Sequence, residues 1–505
     1  MWRNAASVGG LTLVSRLFGF VRDVAMAALL GAGPLADAFM VAFRLPNHFR
    51  AIFAEGAFNA AFVPRYTAVL TKSGEGAAER FGGTVLTLVS LVQIALLIVA
   101  LLFMPWLVSL IAPGFTANPA KFETTVELTR ITFGYLALIS IVTLISGMLN
   151  AHGRFAFAAA APILLNICMI AALLMAPWFP TAAHALAWGV LTAGFVEMAF
   201  VWVDLKRSGR GLSFAPLKMT ADMRKFLRAF GPAVLGSAGT QLAMFADTII
   251  ASFLPSGSVS FLYYADRLYQ LPLAVVGIAI GVVLLPDLSK KVAAGDETGA
   301  RRGLNRALEG IVVLTLPCVA VFVLMAEPVL ALLFGRGAFD QVAVEGSARA
   351  LEAYAVGLTA IVALRALIPA FHARGDTSTP VKVLVVSIVI NIALKIALMG
   401  PLAHAGLALA TSIGAWVNAL LLAIVLARRG MFAADTRLVR MTLLAAAGSF
   451  ALAAIIAGLA PYVTDLPTPV PQLPALLPVA LPLIAGGLAY LAILAVGMRL
   501  ITRRA

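Results

Sequence analysis

The sequence predicts an all-α integral membrane protein with fourteen transmembrane helices, organised as two six-helix lobes and a C-terminal helix pair. Of its 505 residues, 62% are hydrophobic and only 12% are charged, and the mean hydropathy is +0.99. A soluble chain of this size cannot bury that much apolar surface, whereas a membrane-spanning helix requires about 20 mainly apolar residues. The apolar runs are continuous instead of alternating with polar residues, which excludes a membrane β-barrel.

Fourteen apolar runs of sufficient length are separated by charged residues, prolines or glycines. The first run is interrupted by Arg16, Arg22 and Asp23, so it indicates a spanning helix and not a cleavable signal peptide. The approximate centres of the runs are Leu17, Leu45, Ile94, Ser140, Ile167, Ala193, Leu242, Gly277, Val319, Ala360, Ile390, Trp416, Ala447 and Leu488.

The distribution of basic residues orients these spans. With the amino terminus in the cytoplasm, 26 of the 37 Lys and Arg residues lie in cytoplasmic segments, and only Lys121, Arg130, Arg336 and Arg349 lie in external ones. This positive-inside asymmetry predicts that both termini are cytoplasmic and that the number of spans is even. The net charge of +14 is therefore explained by topology, and nucleic acid is not expected as a partner.

The first six spans match the next six at an offset of about 220 residues. The matched residues include Pro46 with Pro272, Pro64 with Pro286, Pro105 with Pro328, Tyr135 with Tyr354, Asn166 with Asn391, and His184 with His404. Because six is even, both copies enter from the same side, which is the parallel repeat of many transporters. The predicted domains are an N-terminal lobe (1–210), a C-terminal lobe (211–430) and a terminal hairpin (431–505), with a substrate site between the lobes.

The two cysteines, Cys168 and Cys318, both lie inside apolar runs. They indicate small buried side chains and not a disulfide or a metal site. No metal ion or cofactor is expected.

Seven basic residues lie within the spans, where each costs about 2.5 to 3.5 kcal/mol unless it lines a watery cavity or has a partner. The second span carries Asp37, Arg44, His48 and Glu55 at helical spacing on one face. The charged residues of the other two main spans are Arg16, Arg22 and Asp23 in the first, and Asp266 and Arg267, with Tyr263, Tyr264 and Gln270, in the eighth. Arg50 lies near the end of the second span.

These residues predict a weakly cationic cleft in which the faces of the second and eighth spans oppose one another. The arginine fork matches phosphate oxygens bidentately, so a phosphate-bearing anion is the favoured ligand. Asp23, Asp37, Glu55 and Asp266 are the candidate cavity acids or gating residues. The alternative is that the charges form mutual ion pairs that hold helices together, which applies most to Asp23 and Glu55.

A second group consists of Asp247 in the seventh span, Asn391 and Lys395 in the eleventh, and Thr411 in the twelfth. A buried charge without a partner is unstable, whereas a buried pair can stay charged. The group is therefore predicted to be either an ion-binding site or an ion pair, and we predict the ion pair to form between Asp247 and Lys395.

Five segments resemble the MurJ (MviN) family, the lipid II flippases of the multidrug/oligosaccharidyl-lipid/polysaccharide exporter superfamily. They are Ser-Arg-Leu-Phe-Gly-Phe-Val-Arg-Asp at 15–23, Ala-Asp-Ala-Phe at 36–39, Phe-Ala-Glu-Gly-Ala-Phe at 53–58, Ala-Phe-Val-Pro at 61–64 and Tyr-Tyr-Ala-Asp-Arg-Leu at 263–268. The resemblance extends over essentially the whole chain.

The resemblance implies that lipid II, an undecaprenyl-pyrophosphate-linked disaccharide-pentapeptide, is carried from the cytoplasmic to the periplasmic leaflet of the bacterial inner membrane by alternating access. It further implies that Arg16, Arg22, Arg50 and Arg267 match essential arginines, that Asp37 matches an essential acid, and that the last two helices hold the polyprenyl tail. Two positions depart from the family: Gln270 replaces a Glu of some members, and Lys395 replaces an Asp that contributes to a sodium site in certain members.

Three other functions were weighed. A drug or cation exporter of the same superfamily predicts twelve spans and an acidic cavity, neither of which fits. A flippase for another polyprenyl-pyrophosphate-linked saccharide differs only in head-group contacts. A membrane-embedded glycosyltransferase would require a large loop with an Asp-x-Asp or similar motif, and the sequence has none. We therefore expect a non-enzymatic, monomeric transporter in contact with phospholipid, which could act together with cell-wall synthesis proteins.

Overall fold

The computed structural model describes residues 2–50, 57–463 and 473–503. Within these ranges the backbone forms seventeen α-helices and two short 3-10 segments, at Pro113–Ala117 and Ala176–Trp178, with no strand. The helices are α1 (Trp2–Leu30), α2 (Pro34–Arg50), α3 (Ala57–Ser73), α4 (Glu75–Leu102), α5 (Met104–Ile111), α6 (Pro119–Ala151), α7 (Ala156–Leu174), α8 (Ala182–Arg207), α9 (Ala221–Ser252), α10 (Ser258–Ala293), α11 (Glu297–Leu324), α12 (Ala326–Phe334), α13 (Gln341–Ala355), α14 (Leu358–His372), α15 (Ser378–Arg428), α16 (Thr436–Val463) and α17 (Leu473–Arg503).

The all-helical prediction is confirmed. Among the described residues, eight helices are long and apolar enough to cross a membrane, or nine if the bent pair α13 and α14 forms one span. Helix α15 is 51 residues long and contains a kink at Ala403, where φ is 47°, so it covers the eleventh and twelfth predicted spans. The full count of fourteen spans and the arrangement of the lobes stay predictions.

Backbone packing divides the chain into two compact units. Unit 1 contains Met1–Val259 and Gly337–Phe339, and unit 2 contains Ser260–Arg336 and Asp340–Ala505. The lobes predicted above (1–210 and 211–430) are defined by sequence equivalence and not by packing, and they stay a prediction. The two divisions place α9 differently: the repeat begins the second copy with α9, whereas α9 packs in unit 1.

Both ends of α9 pack against other helices of unit 1. Near its start, Phe226 is fully buried and meets Phe58 and Phe62 of α3, with ring centroids 5.9 and 6.3 Å apart. At its end, Gly114 donates its N–H to the Ser252 hydroxyl at 3.0 Å. A Cβ at position 114 would lie 2.3 Å from the Ser252 carbonyl oxygen, so only glycine permits this approach.

The interior of unit 1 is centred on α6, which packs against α2, α4 and α8. Two buried polar side chains of α6 pair with neighbouring helices, as a low-dielectric interior favours. The Tyr135 hydroxyl donates to Glu197 of α8 at 3.0 Å, and Gln93 of α4 donates to Ser140 at 2.8 Å. These contacts fix the helices that surround the charged residues of α1 and α2.

In unit 2 the predicted terminal hairpin corresponds to α16 and α17. These two helices pack against each other and against α11. The core of this packing contains Met325, Leu452, Ile456 and Tyr490. The hairpin is therefore bound to the second unit through apolar side chains, and its connecting segment (464–472) lies outside the described residues.

Several details recur between the two predicted copies. Asn118 caps the amino terminus of α6 by accepting the N–H of Lys121, and Asp340 caps α13 by accepting the N–H of Ala343. The short helices α5 and α12 also occupy matching places in the order of elements. These equivalences support the internal repeat.

Two turns at matching places of the repeat carry titratable groups. Burial lowers the pKa of His152, in the turn after α6, and nearby Arg210 lowers it further. The pKa of Asp376, in the turn after α14, is lowered by hydrogen bonds from Thr379 and by the Arg429 guanidinium at 2.6 Å. The two turns therefore respond to acid in different pH ranges.

Candidate substrate-binding site

Arg22 is the most completely enclosed of the predicted arginines. It lies on α1 with only 6% of its surface exposed, beside the equally buried Asp23. Its Nε and Nη2 atoms donate to Asp23 Oδ1 at 3.0 and 2.7 Å. Its Nη1 atom donates to Asn166 Oδ1 at 2.9 Å. The side chain is thus held in one orientation by a neighbouring carboxylate and by an amide from α7.

Asn166 is itself fixed by the backbone. Its Nδ2 atom donates to the carbonyl oxygens of Ser15 and Pro162, at 3.2 and 3.1 Å. Gly19 of α1 lies beside this amide: a Cβ built there would be in ordinary van der Waals contact with it, at 3.7 Å. Asn166 therefore both joins α1 to α7 and orients Arg22.

The other predicted residues of α1 and α2 have less uniform surroundings. Arg16 is exposed, and Arg44 and Arg50 are half-buried. His48 Nδ1 is 2.7 Å from the Oε1 atom of Gln241 in α9. Glu55 lies outside the described residues.

Asp37 is completely buried in unit 1 and forms an ion pair with Lys121, with 2.7 Å between Nζ and Oδ2. The same carboxylate oxygen accepts the N–H of Gly257 at 2.7 Å. Lys121, which the sequence places on the external side, lies in the first turn of α6 and is 6% exposed. Asp37 is thus buried, whereas Arg44 and His48, which are predicted to share its helix face, are half-buried.

In unit 2, Arg267 is held by an aromatic side chain one turn earlier on α10. Its Nη2 atom donates to the Tyr263 hydroxyl at 2.9 Å, and its guanidinium lies 4.5 Å from the centre of the same ring. The adjacent Asp266 accepts a hydrogen bond from Gln270, also one turn away. Arg267 is half-buried, in contrast to Arg22.

Three members of the second predicted group lie on α15, on either side of its kink. Asn391 donates to the Ala410 carbonyl at 2.9 Å, and the Thr411 hydroxyl donates to the Leu407 carbonyl at 3.0 Å. Lys395 is 2% exposed. Asp247 belongs to unit 1, so its predicted ion pair with Lys395 stays a prediction.

Two side chains that hold the candidate residues, Asn166 and Lys121, are not predicted from the sequence. In the sequence Asn166 is marked only by its match in the repeat, and Lys121 only by its charge on the external side. The repeat was a usable signal for Asn166, because an amide recurring in equivalent apolar helices needs a partner in each. No local pattern marks Lys121 as the partner of Asp37.

The chemistry that the arginines offer is the binding of anions. The guanidinium groups offer charge-assisted hydrogen bonds of the kind that recognise phosphate. Among the described residues, no group of three or more His, Cys, Asp or Glu side chains is placed to hold a metal ion.

Comparison with solved structures identifies the class of protein. A structure described as the lipid II flippase MurJ in an inward closed conformation matches with a TM-score of 0.81 and 25% identity, covering 98% of this chain and 99% of that one. An inward-facing multidrug resistance MATE family transporter of the MOP superfamily matches with a TM-score of 0.67 and 15% identity, covering 85% of this chain and 98% of that one. The chain is thus an integral multi-pass membrane protein with a transporter fold.

Sequence comparison specifies the family. The family described as "Lipid II flippase MurJ" matches residues 26–469. A probable lipid II flippase MurJ of Rhizobium meliloti (strain 1021) is 43% identical over 460 residues, covering 89% of this chain and 86% of the relative. The lipid II flippase MurJ of Burkholderia cenocepacia is 35% identical over 437 residues, covering 86% and 85%. The chain belongs to the lipid II flippase MurJ family, and its relatives are named as flippases, not enzymes.

Proposed function

We propose that this chain moves lipid II from the cytoplasmic to the periplasmic leaflet of the bacterial inner membrane by alternating access. The observation that carries the proposal is the buried Arg22, held on α1 by Asp23 and Asn166 in a chain of this family. An arginine inside a spanning helix costs about 2.5 to 3.5 kcal/mol, so its retention calls for a function. Recognition of pyrophosphate is that function.

Four arginines bind the pyrophosphate: Arg16, Arg22, Arg50 and Arg267. The guanidinium fork pairs with phosphate oxygens through two parallel hydrogen bonds. At Arg22, the phosphate competes with Asp23 for the same donors. Exchange between the two anions keeps binding reversible, because the guanidinium regains an anionic partner when the substrate leaves.

The acids have a complementary role. Asp23 and Asp266 neutralise the adjacent arginines between transport cycles, and Glu55 contributes a further negative charge. Asp37 belongs to the group of gating residues. With these acids in place, the substrate-free protein does not retain a strongly cationic interior.

Both termini are cytoplasmic, and fourteen spans cross the membrane. The membrane potential supplies a direction, since a negative charge carried from the negative cytoplasm to the exterior gains up to about 2.3 kcal/mol per 100 mV. Transport in proteoliposomes should therefore rise when the compartment toward which lipid II moves is made positive. Equal transport at zero potential, without any ion gradient, would contradict this coupling.

The polyprenyl tail stays in the bilayer beside α16 and α17. Large apolar side chains on the two helices are exposed, among them Leu443 and Phe450 on α16 and Leu488 and Leu491 on α17. Such side chains suit contact with a polyprenyl chain or with acyl chains.

Lys395 replaces a cation at the second candidate site. Its ammonium supplies the positive charge that a sodium ion would supply at a site with Asn391 and Thr411 of the same helix, and its ion pair with Asp247 is the sequence-based prediction. We therefore infer that the transport cycle is independent of sodium.

The protein acts as a monomer without a cofactor, next to the cell-wall enzymes that consume its product.

The function is tested by depleting the chain from cells and measuring how much lipid II reacts with a membrane-impermeant probe. We expect lipid II to accumulate but to be shielded from the probe, and re-expression to restore its reaction. Unchanged exposure of lipid II in depleted cells would contradict the proposal. Polymer synthesis by the purified protein alone would instead establish a glycosyltransferase.

A further inference from the structure

The contact between Asp37 and Lys121, like that between Arg22 and Asp23, joins two side chains that are almost completely enclosed. The side chains of Lys121 and Asp37 are 4% and 1% exposed, respectively. Removing two charges from water is costly, and the cost is offset only if geometry and additional hydrogen bonds are favourable. The presence of a buried ion pair does not by itself show that the pair stabilises the fold. The other contacts of Asp37 and Lys121 therefore indicate what the pair does.

The Lys121 ammonium contacts two groups besides Asp37. It lies 3.9 Å from the centre of the Phe115 ring, and its Nζ is 3.5 Å from the Ser256 hydroxyl oxygen. Phe115 is itself 2% exposed. The cationic end of the side chain is thus confined to one position, from which it faces Asp37 Oδ2.

The carboxylate connects this ammonium to a turn of the backbone. Asp37 Oδ2 also accepts the N–H of Gly257, the last residue of the turn that follows α9. Gly257 has a φ of 96°, a conformation that favours glycine. One oxygen therefore joins α2, α6 and this turn.

The corresponding helices of the second copy have no such pair. The matched helix caps align Lys121 with Ala343, and the matched prolines Pro46 and Pro272 align Asp37 with Tyr263. Neither aligned residue carries a charge. The pair is therefore not needed to build a six-helix copy, which argues for a role specific to unit 1.

We propose that Lys121 is a positioning residue for transport: it fixes the Asp37 carboxylate so that Asp37 holds the turn 253–257 against α2 and α6. Asp37 then acts through this turn and not by contact with the pyrophosphate. This inference rests on the proposed function, in which the conformation must alternate. A bond made in one state and broken in another sets the balance between the two states.

The test uses K121M, D37N and the K121M/D37N double variant of the full-length chain, with R130M as a matched control. Arg130 is an exposed basic residue on the same helix as Lys121. Each single variant should lower lipid II translocation by about tenfold or more, because the turn loses either the carboxylate that holds it or the ammonium that fixes that carboxylate. The double variant should be within about twofold of the worse single variant, because residues that act as a unit are not additive.

A second measurement separates positioning from general loss of structure. Spin labels at E123C and P255C, in a background with Cys168 and Cys318 replaced by Ser, report the distance between α6 and the turn. Both labelled positions are exposed. The distance distribution should broaden in K121M, D37N and the double variant, whereas K121R, which keeps the charge, and R130M should retain the original distribution.

Additive losses of transport in the double variant, or an unchanged distance distribution in K121M, would overturn the inference. The first result would mean that Lys121 and Asp37 act separately, and the second that the turn does not depend on the ion pair. If the unmodified chain fails to translocate lipid II, the proposed function fails, but the distance measurement still decides whether Lys121 positions the turn.

Discussion

Arg22 in unit 1 and Arg267 in unit 2 are held in different ways. Arg22 is buried, and its donors meet a carboxylate and an amide. Arg267 is half-buried and lies against the ring and hydroxyl of Tyr263. A carboxylate neutralises a guanidinium, whereas an aromatic ring orients it without cancelling its charge. The comparison indicates that the place of Arg22 depends on a neighbouring charge and that of Arg267 on an aromatic side chain of its own helix.

The largest expected effect is that of R22M, because the substitution removes the guanidinium that faces the buried Asp23. We expect a loss of stability of about 3–5 kcal/mol, together with loss of transport. Thermal unfolding of the purified protein and lipid II translocation are the two measurements.

The R22M/D23N double variant sharpens this prediction. It removes both charges, so most of the stability should return while transport stays lost. Recovery of transport along with stability would contradict a phosphate-binding role for Arg22.

The substitution R267M should abolish transport with little loss of stability, about 1 kcal/mol or less, because a half-buried charge is partly solvated in the folded protein. The same two measurements apply. R365M is the control, since Arg365 is an exposed arginine on another helix of unit 2. If R267M destabilised the protein as much as R22M, the distinction between the two arginines would be lost.

Asn166 should have an intermediate effect. The substitution N166L removes the amide that accepts from Arg22, and a hydrogen bond to a charged group contributes about 1.5–3 kcal/mol. We expect reduced stability and reduced transport. Q93L, which removes a buried amide distant from the arginines, should reduce stability without a comparable loss of transport. Equal transport losses in the two variants would mean that Asn166 has only a structural role.

A smaller effect concerns the two turns of the repeat. Because the pKa of His152 is lower in the folded state, its contribution to stability is present above the ordinary value of 6.5 and is lost as the pH falls through the folded value. The contribution of Asp376 is lost only below its ordinary value of 3.8. Unfolding followed from pH 7.5 to 5 should therefore depend less on pH in H152Q than in the unmodified protein. An identical pH dependence in H152Q would show that His152 does not contribute to it. D376N should leave the pH dependence of stability between pH 7.5 and 5 unchanged.

The smallest expected effect is that of sodium. Replacing sodium by potassium in a proteoliposome assay should leave translocation within about twofold, because the ammonium of Lys395 is part of the protein. A strict requirement for sodium would show that the ammonium does not take the place of the cation.

Much of the fold was predictable because apolar runs and charge clusters are local properties of the sequence. They identify α4, α7 and α16 as long apolar helices. The short helices α5 and α12 were not predicted, since they depend on local backbone geometry and not on hydropathy.

The candidate site was predictable in its charges but not in their partners. Arg22 and Asp37 were identified because charges inside apolar runs are rare. Their partners, Asn166 and Lys121, are 144 and 84 residues away in the chain and are brought near only by packing. Composition and spacing contain no information on contacts of that range, except where a repeat supplies it.

The central claim is tested most directly by reconstituting the purified protein with lipid II and measuring how much lipid II crosses to the opposite leaflet under an imposed membrane potential. The account predicts translocation by the unmodified chain and by R365M, and none above protein-free vesicles by R267M. Translocation by R267M at the rate of the unmodified chain would contradict the claim that these arginines carry the pyrophosphate.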